Sequence, residues 1–156
     1  MQEQKTATLT AIFSEVLANL AFMFTDEDQI DPPTGEVWLE TTIGYCGPVK
    51  GTLRLWCTRG FSHCLAENLL GIVEGDDDAE QAANDAVKEF MNIVCGQFIT
   101  SAYGEEDVFD LTIPQSTELP QAPDLTIRDN ADASMLSVDG HLVQLSHVLG
   151  ESPVMQ

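Results

Sequence analysis

One segment constrains the fold more than any other, the stretch from Ala83 to Phe98. Its apolar residues recur every three or four positions, which predicts a helix with one buried stripe. That stripe contains Ala83, Val87, Phe90, Met91, Val94 and Phe98. At about 3.6 residues per turn, Asp85, Glu89, Asn92 and Gly96 lie together on the opposite face. The helix therefore buries one side and presents two acids and an amide in a row on the other.

Gly96 continues this polar stripe by one further turn. A glycine inside a helix costs about 0.8–1 kcal/mol relative to alanine. It is favoured where another backbone must approach closely. Two interpretations remain open: another element of the same fold packs against Gly96, or the gap serves a function of the polar stripe.

The charge of the chain argues against two classes of function. Six Lys and Arg residues stand against 26 Asp and Glu residues, which gives a net charge of −20 and a pI near 4.1. Such a surface repels phosphate backbones and anionic membranes, so we expect no nucleic-acid and no membrane binding. Hydrophobic residues make up 44% of the chain, which indicates a folded protein rather than an acidic disordered one. The length of 156 residues predicts a single domain over residues 1–156.

The cysteines and the amino terminus carry no metal or targeting signal. Cys46, Cys57, Cys64 and Cys95 have no C-x-x-C spacing and no histidine cluster nearby, so they are interpreted as small hydrophobic residues. The acidic run at 74–80 lacks the spacing of a calcium loop, so no metal site is predicted there. The first residues show neither a basic n-region nor a small-residue cleavage site, and no run of 18 apolar residues occurs, so we expect a cytoplasmic protein without a leader.

The remaining patterns predict three helices and five strands. The predicted helices cover 4–24, 61–70 and 79–102, and the predicted strands cover 36–45, 49–57, 108–113, 134–138 and 141–148. Pro114 ends the third strand, and residues 115–130 are either mobile or contain one short extended piece at 125–128. This order predicts an α+β fold in which two long helices and a short helix pack on a mostly antiparallel β-sheet.

Several turns and helix ends have local signals. A turn centred on Gly47 places Trp38 opposite Trp56. The other face of these two strands is predicted to be buried and carries Val37, Leu39, Ile43, Leu53 and Leu55. Asp139-Gly140 predicts a type I′ hairpin. Gly71 is expected to end the short helix in the left-handed conformation, and Asp78 is the predicted N-cap of the long one.

The pattern Asp85-x-x-x-Glu89-x-x-Asn92, with Pro114 some twenty residues further on, resembles the signature of the CheC/CheX/FliY phosphatases. The order of the strands and helices around it is similar to that family as well. CheC-like members carry two motifs, whereas CheX-like members carry one. In the first helix Glu15 meets Ala18 at the third position, and the amide is displaced to Asn19. The chain is therefore similar to CheX.

This resemblance implies a phosphatase that hydrolyses the aspartyl phosphate of a CheY-like response regulator. It implies that Asn92 orients the attacking water, that Glu89 pairs with a lysine of the regulator, and that Asp85 contributes to the rim of the contact. Gly96 would let a loop of the partner approach the helix. The resemblance implies no cofactor on this chain, since the Mg²⁺ belongs to the regulator, and it implies a homodimer formed through the sheets.

Two alternatives stay open at the level of sequence. The first is a non-catalytic adaptor or interaction module of the same fold, in chemotaxis or in another two-component pathway. The second is an unrelated acidic α+β binding domain. A catalytic role predicts that the chain accelerates dephosphorylation in substoichiometric amounts, whereas an adaptor tolerates Asn92→Ala.

Overall fold

The structure of the protein is a computed structural model that describes residues 2–26, 35–71, 78–123 and 133–150, with side chains from residue 8 onward. Its helices are α1 (Gln2–Val16), α2 (Arg59–Leu70) and α3 (Ala79–Tyr103), and a π-helical turn, Leu17–Ala21, follows α1 directly. Its strands are β1 (Thr25–Asp26), β2 (Trp38–Cys46), β3 (Lys50–Thr58), β4 (Asp110–Leu111), β5 (Gln115–Glu118), β6 (Ala133–Val138) and β7 (His141–Leu149).

The seven described strands form one sheet, in the order β1-β6-β7-β3-β2-β4, with β5 also paired to β2. Every pairing among the described strands is antiparallel. Helix α1 packs on β6 and β7, α3 packs on β2 and β5, and α2 packs on α3. The predicted α+β class, with helices packed on a mostly antiparallel sheet, is confirmed.

The helices and the sheet enclose the main hydrophobic core. All six residues of the predicted apolar stripe of α3 are buried there: Ala83, Val87, Phe90, Met91, Val94 and Phe98. Phe90 meets Phe13 of α1 edge to face, with ring centroids 5.3 Å apart. One side of α3 is thus fixed by packing, which leaves the polar stripe on the other side.

The hairpin of β2 and β3 turns one residue later than predicted. Trp38 pairs with Thr58 and not with Trp56, so the register centred on Gly47 is wrong and the loop centres on Pro48. Proline has no N–H to donate to a ladder, which suits the tip of a turn. Because the turn centre moves by one residue, each pairing shifts by two, and every side chain keeps its side of the sheet. Leu39, Ile43, Leu53 and Leu55 are accordingly buried as predicted, whereas Val37, just before β2, is exposed.

The second hairpin, β6 to β7, agrees with its sequence signal. Asp139 and Gly140 have φ angles of 47° and 85°. Positive values at both central residues define the type I′ turn. Val138 pairs with His141 across it, and the predicted type I′ turn is confirmed.

The third predicted strand, 108–113, is wrong in extent. Only Asp110 and Leu111 pair, with the last two residues of β2. Strand β5 follows Pro114 and pairs with the first half of β2, although the sequence placed it in an irregular stretch. Its residues are polar and mostly exposed, so they lack the alternation that announces a strand. Residues 125–128 lie outside the described part of the chain.

One prediction about a helix end is wrong, and another holds for the position alone. The first helix does not continue regularly to residue 24, because the π-turn succeeds it and Phe22 then adopts φ 53°. Asp78 occupies the predicted N-cap position of α3, and its carbonyl oxygen accepts from the N–H of Ala82 at 2.8 Å, but its side chain makes no capping bond. Its ψ of 21° lies outside the extended region that an N-cap requires. Gly71, with φ 70°, ends α2 as predicted.

None of the four cysteines, all within the described residues, forms a disulfide. Cys57 and Cys95 are buried, as small hydrophobic residues are, and burial raises the pKa of each thiol to about 12. Cys46 and Cys64 are half-buried. Among the described helices, none has the length and the apolar character needed to cross a membrane.

Candidate functional site

Helix α3 brings the four predicted site residues onto one face. Asp85 and Glu89 are exposed, and Asn92 and Gly96 are half-buried. They lie within one unbroken α-helix of 25 residues, so successive members are about one turn apart, and the Cβ atoms of Asp85, Glu89 and Asn92 follow one another at about 5–6 Å. The predicted stripe is therefore a physical row of side chains.

A groove runs beside this row. It has a volume of about 470 Å³, and we call it the motif groove. It is lined by Asp85, Lys88, Glu89, Asn92, Leu111, Thr112, Ile113 and Pro114. One wall is the polar stripe of α3, and the other is the segment that connects β4 to β5.

Backbone and side-chain bonds to β2 hold the second wall in place. The N–H of Thr112 donates to the carbonyl oxygen of Gly44 at 2.9 Å. The N–H of Gly44 donates to the Thr112 hydroxyl oxygen, also at 2.9 Å. Because β4 and β5 continue this attachment on either side, the wall is part of the sheet edge rather than a free loop.

Arg59 ties α3 to β5 near the amino-terminal end of α3. Its Nη1 donates to Oδ1 of Asn84 at 2.8 Å, and its Nη2 donates to Oε2 of Glu118 at 3.0 Å. The guanidinium is 15% exposed, whereas the Glu118 side chain is 60% exposed. The bond to α3 is therefore the better protected of the two. Arg59 links the start of α2, α3 and β5 in one cluster.

The charged groups of the stripe differ in whether they already have partners. Asp85 Oδ1 accepts a hydrogen bond from Nε2 of Gln81 at 3.0 Å and lies 3.5 Å from Nζ of Lys88. The side chains of Glu89 and Asn92 have no hydrogen bond or ion pair with any described residue. Glu89 and Asn92 thus remain open to a molecule in the groove, while Asp85 is held within its own helix.

Gly96 has open space beside it. A Cβ placed there would have no heavy atom within 4 Å, once the backbone of α3 itself is left aside. Within the described fold, therefore, no element packs closely against this glycine. Of the two interpretations left open by the sequence, internal packing has no support from the described contacts.

The groove extends past Asn92 toward the end of α3. A second cavity is lined by Asn92, Ile93, Gly96, Gln97, Thr100, Ser101 and Leu111, and a third by Gly96, Ile99, Thr100, Gly104, Glu105, Asp107, Phe109 and Leu111. The shared residues make one continuous surface along the helix. Lys88 is the single basic residue among all these lining residues.

Other reactive side chains lie away from this groove. His147 is buried, and its Nε2 lies 2.7 Å from the Tyr45 hydroxyl, whose pKa is raised by burial and by the neighbouring Tyr103. Cys64 Sγ lies 3.5 Å from Nε2 of His141. Neither pair lines the groove. No group of three or more potential metal ligands occurs among the described residues.

Sequence reasoning missed the far wall of the groove. Leu111, Thr112 and Ile113 precede the motif proline directly, and this adjacency was the available signal. Their approach to Asn92 depends on how β4 and β5 share the edge of β2, which no local pattern records. Lys88 was within the motif helix but was not identified as part of the site.

The fold and the groove define a class of protein. Its members have three helices on an antiparallel sheet, and the second long helix carries a row of acids and an amide, here Asp85, Glu89 and Asn92. The profile of the family described as chemotaxis phosphatase CheX matches residues 40–139, more than half of the chain. The chain belongs to the CheX family. A comparison with curated proteins finds no match.

Solved structures share this fold. A chemotaxis protein CheX from Desulfovibrio desulfuricans is 15% identical, with a TM-score of 0.68 over 94% of this chain and 99% of that one. CheX from Vibrio vulnificus is 19% identical, with a TM-score of 0.66 over 96% and 98%. The CheX–CheY–BeF3–Mg²⁺ complex from Borrelia burgdorferi contains a chain that is 18% identical, with a TM-score of 0.63 over 93% and 97%.

Proposed function

We propose that the chain accelerates hydrolysis of the aspartyl phosphate on a CheY-like response regulator. Membership of the CheX family supports this class of reaction. A solved relative of the same fold is bound to CheY with BeF3 and Mg²⁺. The observation that carries the proposal is the pair Glu89 and Asn92, which share one groove and have no partner among the described residues.

The reaction requires a positioned water more than a base. An acyl phosphate is hydrolysed when water attacks phosphorus in line with the leaving carboxylate. In this proposal the regulator supplies the divalent cation and a lysine around its phosphoryl group. What remains for a second protein is to hold the water in line, and effective positioning lowers a barrier by several kcal/mol.

Asn92 has the properties that this role requires. A carboxamide has one acceptor and two donors in a rigid plane, so it can orient a water through the oxygen or the NH₂ group. The half-buried position limits its rotamers, and no described residue occupies its hydrogen-bonding groups. An amide does not titrate near neutral pH, so Asn92 acts by orientation and not as a general base.

Glu89 acts one turn earlier as the docking residue. It is exposed and lacks a partner among the described residues, which suits a charge-assisted bond to the regulator's lysine. Such bonds contribute about 1.5–3 kcal/mol. Asp85 belongs to the rim of the contact, where it holds Lys88 at 3.5 Å. Gly96 leaves room for a loop of the partner.

Loss of phosphate from a panel of phosphorylated CheY-like regulators, in the presence of Mg²⁺, tests this function. Each regulator is followed alone and with substoichiometric wild-type chain. A phosphatase releases many phosphates per chain, whereas an adaptor binds the regulator and leaves the rate unchanged. Binding without acceleration, across the regulators that bind, would contradict the proposed function and favour the adaptor.

A further inference from the structure

Ile113 is a large apolar residue that is exposed to solvent and lines the motif groove. Ile113 is 81% exposed, although the burial of an isoleucine side chain is favourable. It lines the motif groove together with Glu89 and Asn92. The bonds of Thr112 to Gly44 and the ring of Pro114 fix the backbone on both sides of it. The backbone that carries this large apolar side chain is thus fixed beside the groove.

Val108, five residues before Ile113 in the chain, provides a contrast. It is 82% exposed, so it is as accessible as Ile113 and of similar chemistry. It does not line the motif groove or either extension of it. Exposure by itself therefore does not distinguish Ile113, whereas its position beside Glu89 and Asn92 does.

We propose that Ile113 is the apolar anchor of the phosphorylated receiver that docks in the motif groove, and that it determines affinity rather than rate. This inference rests on the proposed function. One wall of the groove carries the carboxylate of Glu89, which has no partner among the described residues, and the other carries the exposed aliphatic side chain of Ile113. A matching partner surface carries a cation for Glu89 and an apolar patch for Ile113, on opposite sides of the group presented to Asn92.

Charge explains why an apolar anchor is needed. The chain has a net charge of −20, and a phosphorylated partner brings further negative charge, so long-range attraction contributes little to their association. The ion pair at Glu89 is partly solvated and weakened by salt. Burial of Ile113 is not screened by salt, and interfaces concentrate their affinity in a few buried anchors.

The test measures binding and chemistry separately. BeF3 with Mg²⁺ loads a regulator with a phosphoryl mimic that is not hydrolysed, and its Kd is measured for wild type, Ile113→Ser and Val108→Ser. We expect Ile113→Ser to raise Kd by about 10–100-fold. Val108→Ser should stay within about 2-fold of wild type. At saturating chain, Ile113→Ser should leave the rate of dephosphorylation within about 2-fold of wild type.

Each contrary outcome identifies a different error. Equal Kd values for Ile113→Ser and Val108→Ser would overturn the anchor, and so would an unchanged Kd with a reduced saturating rate. A change in the sedimentation of the chain alone, with regulator binding intact, would assign Ile113 to a contact between two copies of this chain. If wild type binds but does not accelerate, the proposed function fails while the comparison of Kd values still decides on Ile113. Failure of wild type to bind any loaded regulator would overturn the occupant proposed here.

Discussion

Helices α1 and α3 carry the same pair of residue types and differ in what surrounds them. In α3, Glu89 and Asn92 are three positions apart within one regular helix and line a groove. In the first helix Glu15 lies at the end of α1, and the amide, Asn19, lies in the π-turn that follows. Both of these are exposed. They are four positions apart, and the π-turn winds more widely than a regular α-helix, so the three-residue α-helical spacing of Glu89 and Asn92 is not reproduced.

The difference shows what converts a polar helix face into a site. Residue type is shared by the two helices, so it cannot be sufficient. In α3 the spacing aligns the carboxylate with the amide, and the segment from Leu111 to Pro114 supplies a wall facing both. In the proposed function, the acid and the amide of α3 act together because this second element encloses them.

The largest effect concerns the core that both helices share. Phe90→Ala removes the ring that meets Phe13 edge to face at 5.3 Å, and it should lower the free energy of unfolding by about 3–5 kcal/mol. Phe24→Ala is the control, since Phe24 is 60% exposed and should cost less than about 0.5 kcal/mol. Urea unfolding monitored by circular dichroism measures both. Similar losses for the two variants would contradict the packing described for α3.

The next effect compares Glu89 of α3 with Glu15 of α1. Glu89→Gln should raise the Kd for a BeF3-loaded regulator by about 10–100-fold, because it replaces a charge-assisted bond with a neutral one. Glu15→Gln removes the same charge from the other helix and should leave Kd within about 2-fold. Titrations at two salt concentrations measure both variants. Equal weakening by the two would mean that overall charge, and not the groove, governs docking.

The smallest effect concerns Gly96, where stability and binding should change in opposite directions. Gly96→Ala should raise the free energy of unfolding by about 0.5–1 kcal/mol, because alanine favours the helix and meets no atom within 4 Å. The same methyl group should weaken regulator binding, since it fills the space kept for the partner. Thermal unfolding and a binding titration on one preparation test this. A stabilised variant with unchanged Kd would show that no partner approaches there.

Much of the fold was predictable because it depends on periodicity. The 3.6-residue periodicity predicted α3 and its buried face. The alternation of side chains along a strand predicted the buried face of β2 and β3, although their predicted register was wrong. The register depended on whether Gly47 or Pro48 occupies the centre of the turn, which periodicity does not determine. The π-turn after α1 also left no local signal, since Leu17 and Ala21 fit a regular helix equally well.

The candidate site divides in the same way. The row of Asp85, Glu89 and Asn92 follows from spacing within one helix, so the sequence predicted it in full. The opposite wall depends on β4 and β5, which pair with separate halves of β2 on either side of Pro114. Those pairings are between residues distant in sequence, so Ile113 entered the site only through the structure.

Asn92→Ala tests whether the amide of α3 orients the attacking water, on which the proposed function depends. The rate of phosphate loss from a regulator is measured at saturating chain for wild type, Asn92→Ala and Asn19→Ala, with the bound fraction confirmed for each. We predict that Asn92→Ala binds the regulator yet loses the acceleration by about 100-fold or more, while Asn19→Ala matches wild type. Full acceleration by bound Asn92→Ala, or equal losses in both variants, would contradict the account.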